Sequence, residues 1–378
     1  MVCALVRLLV LLVALAGCAS RGSAPRSENT PARGRPRIEL GDQRTLLDNG
    51  ALGLAYFPDM GTSMLERQPA TRLILTALNT TYLVEGADVE HLTSASAVLT
   101  PGAAGSFDNG YAGVSAVVDV KGELFGFYHA EDHVGLPPVP GGIPGYFASI
   151  ALATSSNAGK TWQKRGQVIT SSQPKTWEAY PNQGDRGSAE PGAVLTRDGA
   201  HVLLYYTEHS RVEGRGVDIC VARAALGDGP PLPGSFKKFH QGAFSEPGIG
   251  GKDTPIVTAK GFSEANALEA HVTWSETAQR YLMVLGIDAY RERMAGEQPR
   301  QSGLYAAWSA DGVAWSELEP LFHDQAVPQS GMSLSWEGSV LWDDPDGAQG
   351  WLVYGHTPSW GTTPHYMVGR RVQLVFEP

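Results

Sequence analysis

Cysteine is nearly absent from this 378-residue chain, where Cys3, Cys18 and Cys220 are the whole complement. Three well-separated thiols exclude a disulfide-stapled fold and a Cys-x-x-Cys zinc site, so stability has to come from a large apolar core. Basic side chains are outnumbered too: 29 Lys and Arg stand against 39 Asp and Glu, a net charge of −10. That balance argues against nucleic acid or anionic lipid as the ligand. No HExxH and no twelve-residue calcium loop occurs, so no dedicated catalytic metal is expected. The acidic stretch DDPDG at 343–347 lacks the calcium spacing and reads as a hairpin turn. The stretch SSNAGKTW (Ser155–Trp162) contains Gly-Lys-Thr, but a phosphate cradle needs glycine five positions before Gly159, and that position is Thr154.

The chain opens MVCALVRLLVLLVALAGCAS, with one arginine, an apolar run of about ten residues, and small residues ending at a cysteine. This is the layout of an export signal and is too short for a confident membrane span. Leu15-Ala16-Gly17-Cys18 resembles the lipobox of bacterial lipoproteins. The resemblance implies that residues 1–17 are removed, that Cys18 is acylated and, because Ala19 follows it, that the protein is sorted to the outer membrane. Removing the signal takes away only Arg7, so Lys and Arg fall from 29 to 28 and the net charge becomes −11. Residues 18–38 are rich in Ser, Pro, Arg and Gly with almost no large apolar side chain, and are expected to be a flexible tether. Residues 39–378 are expected to form one domain, with Cys220 a small core residue within DICVARAAL.

Helix-period stretches are scarce, while 45 glycines and 25 prolines punctuate short β-branched and aromatic runs, which predicts an all-β chain. The runs recur in the same order. SAVVDVKGELFGFYHAE reads as strand, turn, strand; GAVLTRDGAHVLLYYTEH, AHVTWSETAQRYLMVLGID and GSVLWDDPDGAQGWLVYGHT repeat it. Each pair leads to a third strand, and the starts near 115, 191, 270 and 338 lie 76, 79 and 68 residues apart. Self-similarity at this period marks a radial array of four-stranded blades, a β-propeller. Four units are visible and the segment from Glu39 to Pro101 is long enough for a fifth, so five blades are expected; six would crowd the remaining length.

SSNAGKTW and SADGVAW (Ser309–Trp315) both follow the third strand of their unit. A short polar side chain, a glycine free to take positive φ and a covering indole predict a hairpin turn in each. The first matches the Asp-box of sialidase-like propellers; the second resembles the variant common in five-bladed glycosidases of families 43 and 32. That resemblance implies a structural role for both.

In a propeller, the start of each innermost strand and the end of the next strand share one rim of the channel. Asp108, Glu190, Glu269 with His271, and Glu337 stand at or just before the starts. His129, Glu131 and His133, then Glu208 with His209, Asp288 and His356 stand at the ends, and Trp336 accompanies them. Crowded carboxylates raise one another's pKa, which keeps one protonated as a general acid while another stays ionised. Such a pair is what glycosidic cleavage needs, and an indole such as Trp336 suits a sugar face.

The chain from about residue 105 onward resembles the five-bladed glycoside hydrolases around families 43, 32 and 117. Carried over by position, the resemblance implies Asp108 as base or nucleophile, Glu131 as the carboxylate that tunes pKa, and Glu190 as acid, with Glu269 in reserve. No early-blade Asp-Pro pair occurs, and the Glu-Gly pair often seen at the acid occurs only at Glu337-Gly338. His129, His133, Glu208, His209, Glu269, His271, Trp336, Glu337 and His356 are expected to bind substrate, a carbohydrate. No cofactor is expected; an axial cation held by His129, His133, His271 and His356 is the alternative. Two other functions stay open: a non-catalytic propeller that binds carbohydrate or protein, and a sialidase. The latter needs an arginine cluster for the substrate carboxylate, and no arginine lies between Arg72 and Arg165.

Overall fold

The structure is a computed structural model; it describes residues 34–133, 135, 145–175, 186–210, 217–227, 230–259, 266–288, 302–324, 335–357 and 365–377. Cys18 and most of the expected tether lie outside the described residues. Strand β1 (Arg35–Leu47) takes in residues 35–38, the last part of that tether.

The remaining strands fall into consecutive antiparallel units. The first is β2 (Ser63–Glu66), β3 (Thr71–Ala77), β4 (Thr80–Gly86) and β5 (Leu92–Leu99). The second is β6 (Tyr111–Val120), β7 (Glu123–Asp132), β8 (Phe147–Ser155) and β9 (Gln163–Thr170). A single parallel bridge, Thr80 to Ala112, joins these two into one sheet. The third is β10 (Ser188–Leu195), β11 (His201–Glu208), β12 (Asp218–Ala225) and β13 (Lys237–His240), with β14 (Ala243–Pro247) added at its edge. The fourth is β15 (Asn266–Ser275), β16 (Arg280–Asp288), β17 (Gly303–Ser309) and β18 (Glu319–His323). The last is β19 (Ser335–Trp342), β20 (Gln349–His356) and β21 (Tyr366–Glu377), completed by β1, which pairs with β21.

The units close into a ring. Strands β2, β6, β10, β15 and β19 are innermost, and each neighbours the next, β19 returning to β2. The Thr62 amide donates to Ser339 Oγ of the last unit (2.9 Å), and the Gly61 amide donates to Ser115 Oγ of the second (3.1 Å). Every seam between neighbours holds one apolar cluster. Phe127, Ile150, Tyr206 and Phe236 pack between the second and third units, and Leu73, Val84, Leu341 and Met367 pack where the last unit meets the first. This is a β-propeller, the fold expected from the repeats. The segment from Glu39 to Pro101, expected as one further unit, is divided: its start supplies β1 to the last unit and only its later part forms the first.

SSNAGKTW and SADGVAW are turns between the two outer strands of their units. Ser155 Oγ accepts from the Gly159 amide (3.1 Å) and Asn157 Oδ1 from the Thr161 amide (3.0 Å), while Gly159 takes φ +80°. In the second turn, Asp311 Oδ1 accepts from the Val313 and Ala314 amides, both at 2.8 Å. Cys220 is fully buried in the seam cluster that holds Tyr206.

The strand directions set two faces. Innermost strands begin at the front, so Asp59, ahead of β2, and the end of β7 lie there. The innermost strands end at the back, where all five contribute to an open axial cavity of about 550 Å³. Its floor is largely aliphatic, with Val117, Val194, Val272 and Val340, and Trp274 and Trp342 stand on its walls.

Candidate active site

The front mouth is built by one backbone device used three times. In β10, β15 and β19 the ladder slips at a bulge, between Ala189 and Gly192, Leu268 and His271, and Trp336 and Ser339. The first bulged residue is a glutamate in the left-handed region each time: Glu190 (φ 53°), Glu269 (φ 59°) and Glu337 (φ 55°). A non-glycine residue rarely sits there, and strained bulges cluster at functional sites. Each glutamate amide is held by the preceding unit. Glu190 N–H donates to His129 Nδ1 (3.3 Å), Glu269 N–H to Thr207 Oγ1 (3.1 Å), and Glu337 N–H to Glu269 Oε2 (2.7 Å).

Glu131, at the end of β7, accepts from two imidazoles: His129 Nε2 at 3.1 Å and His133 Nε2 at 2.6 Å. Because His129 Nδ1 accepts an amide, its Nε2 carries the proton it gives to Glu131. Burial pushes Glu131 up, but these two bonds together hold it below the ordinary carboxylate range. The same bond raises the pKa of His133. Glu190 is likewise pushed up by burial, and the charge and hydrogen bond of His209 (Nε2 to Oε1, 3.2 Å) overcome it and hold Glu190 low. Its other oxygen, Oε2, is enclosed and bonded to nothing among the described residues.

Glu269, Asp59 and Glu337 go the other way. Burial pushes Glu269 up to about 8, the negative charges of Glu190 and Asp288 adding to it. Asp59 is likewise raised to about 8 by burial against the opposing bond from the Tyr111 hydroxyl (3.0 Å), with Glu131 and Glu190 contributing. Glu337 is raised well above its usual value, first by burial and then by Glu269, Glu190 and Asp59. Five carboxyls, one from each unit, thus share one electrostatic neighbourhood, with Glu131 and Glu190 held low and Asp59, Glu269 and Glu337 pushed up. Asp59 and Glu269, with Asp288, line a cavity of about 270 Å³ whose other walls include Tyr56, Trp336 and His365. The Trp336 indole is fixed by its N–H to Pro58 O (3.0 Å), and the His365 ring lies 4.1 Å from Tyr56 and 5.2 Å from Trp336.

Of the residues expected from sequence, the structure gathers His129, Glu131, His133, Glu190, His209, Glu269, Trp336 and Glu337 at this mouth. Four are placed elsewhere. Asp108 is turned into the seam between the first two units, where it is ion-paired with Lys164 of the outer strand β9 and bonded by Tyr128 OH (3.2 Å) and Ser106 Oγ (2.8 Å). Glu208 faces the opposite side of its strand from the mouth, accepting from Ser188 Oγ (2.9 Å) and the Ser210 amide (3.0 Å); burial and Asp253 raise its pKa. His271 follows the bulge and lines the back cavity, where burial lowers its pKa to about 4. His356 is bonded to Ser335, which lines the mouth cavity, and does not line it itself. The four histidines of the axial-cation alternative therefore do not converge. Among the described residues no group of three or more His, Cys, Asp and Glu is placed to hold a metal ion.

Sequence reasoning missed Asp59, Tyr56 and His365. Asp59 occupies, ahead of β2, the place that Asp108 occupies ahead of β6. The pair Pro58-Asp59 was the available signal, but β2 is only four residues long and its hairpin rhythm is weak.

No family model matches the sequence, and no curated protein matches it. Solved structures do match in shape. A family 117 glycoside hydrolase from the marine bacterium Zobellia galactanivorans superposes with a TM-score of 0.54 at 11% identity, over 90% of each chain. An α-L-arabinofuranosidase from Lactobacillus brevis gives 0.53 at 11%, over 83% of this chain and 91% of its own. The catalytic domain of a family 62 α-L-arabinofuranosidase from Coprinopsis cinerea gives 0.52 at 11%, over 89% and 96%. At such identities the likeness speaks to architecture, and on that ground this chain has the β-propeller fold of the glycoside hydrolases in families 62 and 117.

Proposed function

We propose that the protein is an exported glycoside hydrolase, anchored through an acylated Cys18 to the outer membrane, that cleaves an oligosaccharide at the front mouth. The observation that carries the reading is the split between Glu190 and Glu269. These are neighbouring bulge glutamates on adjacent units; the imidazole of His209 keeps one ionised, and burial beside that ionised partner keeps the other protonated to about pH 8. Environments that push two carboxyls apart in this way assign acid and base.

In this reading Glu269 is the general acid. It lines the cavity and gives its proton to the leaving oxygen, its Oε2 being held by the Glu337 amide. Glu190, kept ionised by His209, supplies negative charge that favours a developing positive charge at the anomeric centre. This exchanges the role that the family resemblance implied for Glu190, because His209 favours the ionised form. Asp59 takes over the early-unit position for which Asp108 was expected. Protonated, it donates to a sugar hydroxyl in the cavity it lines with Asp288, where Trp336 and Tyr56 provide aromatic faces.

The test uses arabinofuranosides first, since two of the similar structures are arabinofuranosidases. Glu269→Gln is expected to lose about 10²–10⁴-fold in turnover of a natural glycoside. It should lose far less on an aryl glycoside whose leaving group needs no proton, whereas Glu190→Gln loses activity on both. Equal losses for Glu269→Gln on the two substrates would remove it from the acid role. Binding with no product from any glycoside would leave the non-catalytic carbohydrate-binding propeller instead.

A further inference from the structure

Four residues occupy matching places on the second strands of their units: His129 opposite Gly113, Thr207 opposite Ala189, Gly286 opposite Leu268 and Gly355 opposite Trp336. In each case the partner lies three residues before the point where pairing resumes beyond the slip, at Ala116, Gly192, His271 and Ser339. What fills this place follows what stands beside it. His129 Nδ1 accepts the Glu190 amide of the next unit (3.3 Å), and Thr207 Oγ1 accepts the Glu269 amide of the next (3.1 Å). Gly286 has no side chain, and a Cβ there would stand 3.4 Å from Glu269 Oε2, the oxygen that accepts the Glu337 amide. Gly355 makes room for an indole, since a Cβ there would lie 2.6 Å from Cε2 of Trp336.

His129 and Thr207 are too deep to touch a sugar. Thr207 is fully buried and His129 is 1% exposed. His129 uses its second nitrogen on Glu131 (3.1 Å), and its ring is boxed edge-to-face by Tyr111 and Tyr146, with centroids 5.1 and 6.0 Å away. The Tyr111 hydroxyl is itself fixed to Asp59. A left-handed residue that is not glycine persists only where its surroundings over-determine it, and an acceptor reaching from the preceding unit does that for Glu190 and Glu269. The amide fixes where the carboxyl points.

Resting on the glycosidase reading above, we propose that His129 and Thr207 are positioning residues, one clamping the amide of the charge-supplying Glu190 and the other that of the acid Glu269. The Thr207 hydroxyl has a second task, because it also hydrogen-bonds the Glu190 carboxylate and, after His209, helps to hold it low.

Paired variants separate the clamp from mere packing. His129→Gln keeps a donor for Glu131 and loses the acceptor for the Glu190 amide, whereas the side-chain oxygen of His129→Asn takes the place of Nδ1. Thr207→Val removes the hydroxyl at equal shape, and Thr207→Ser returns it. His129→Gln and Thr207→Val are each expected to lower kcat by about tenfold with KM nearly unchanged, and His129→Asn and Thr207→Ser to recover most of the loss. In Thr207→Val the acid limb of the pH profile should also move to higher pH, since Glu190 loses a donor to its charged form. Asn and Ser variants no better than Gln and Val, with kcat falling only in step with melting temperature, would overturn the assignment. A second readout needs no turnover: hydrogen exchange should be several-fold faster at the Glu190 amide in His129→Gln and at the Glu269 amide in Thr207→Val. Wild-type protein that cleaves no glycoside fails at the glycosidase reading, and the clamp then stands or falls on exchange alone. Unchanged exchange in both variants overturns it in either case.

Discussion

Asp59 and Glu190 differ by one kind of neighbour, and that difference governs how the protein responds to pH. Asp59 and Glu269 are raised to about 8, so between roughly pH 4 and pH 8 the folded chain binds protons that the unfolded chain has released. Their contribution to stability therefore falls as pH rises through that window. Glu131 and Glu190 are held low by imidazoles, so their contribution is present above the ordinary glutamate range and is lost as pH falls below it. Thermal unfolding should show greatest stability in mildly acid solution and a decline toward pH 8. In Asp59→Asn the decline should be shallower; an unchanged slope would show that Asp59 is ionised in the folded state.

Asp108 illustrates the opposite case, a buried carboxylate whose partners explain it fully. It is 2% exposed and satisfied by Lys164, Tyr128 and Ser106, in the seam between two units. Asp108→Ala strands these partners and should cost about 2 kcal/mol, at the modest end because Lys164 retains access to water. Its effect on turnover of any cleaved glycoside should be small. A large loss of activity with unchanged melting temperature would return Asp108 to the chemistry.

At the scale of the element, the bulge is the unit of design. Two residues on the innermost strand oppose one on its partner, which turns a glutamate toward the mouth and lets the rest of the strand keep its apolar alternation. Ala270 and Gly338, which follow two of the glutamates, sit close to the neighbouring unit. At Gly192, next along β10, a Cβ would stand 2.0 Å from the Ala270 carbonyl oxygen. Gly192→Ala must push β10 and β15 apart, and we expect a loss of about 3 kcal/mol with weakened turnover, since Glu190 and Glu269 lie on these two strands. Full stability, read by urea denaturation, would mean that the seam is soft.

The hairpins were legible in sequence because each strand pair carries alternating apolar residues and a turn at fixed spacing. The bulges were not. Nothing in SAEPG, ALEAH or WEGS announces a left-handed glutamate, although all three place Glu at the same point of the hairpin. The bulge also explains why Glu269 reaches the mouth while His271, two residues on, lines the opposite cavity. Glu208 and His209 split in the same way, since adjacent residues at a strand end face opposite sides.

For the whole molecule, the ring explains both the site and its concealment. Five units from separate parts of the chain each deliver one carboxyl to the axis, so residues as distant in sequence as Asp59 and Glu337 perturb each other. Periodicity made the architecture readable, whereas the first unit, with a four-residue innermost strand and β1 lent to the last unit, hid Asp59. The central claim is that this axial group breaks glycosidic bonds. Its most direct test is to incubate the wild-type chain and Glu190→Gln with a glycan library and to detect released sugar by NMR. The account predicts that at least one glycoside is cleaved by the wild type, and that the variant binds it while releasing about 10³-fold less. Equal release by both proteins would contradict it.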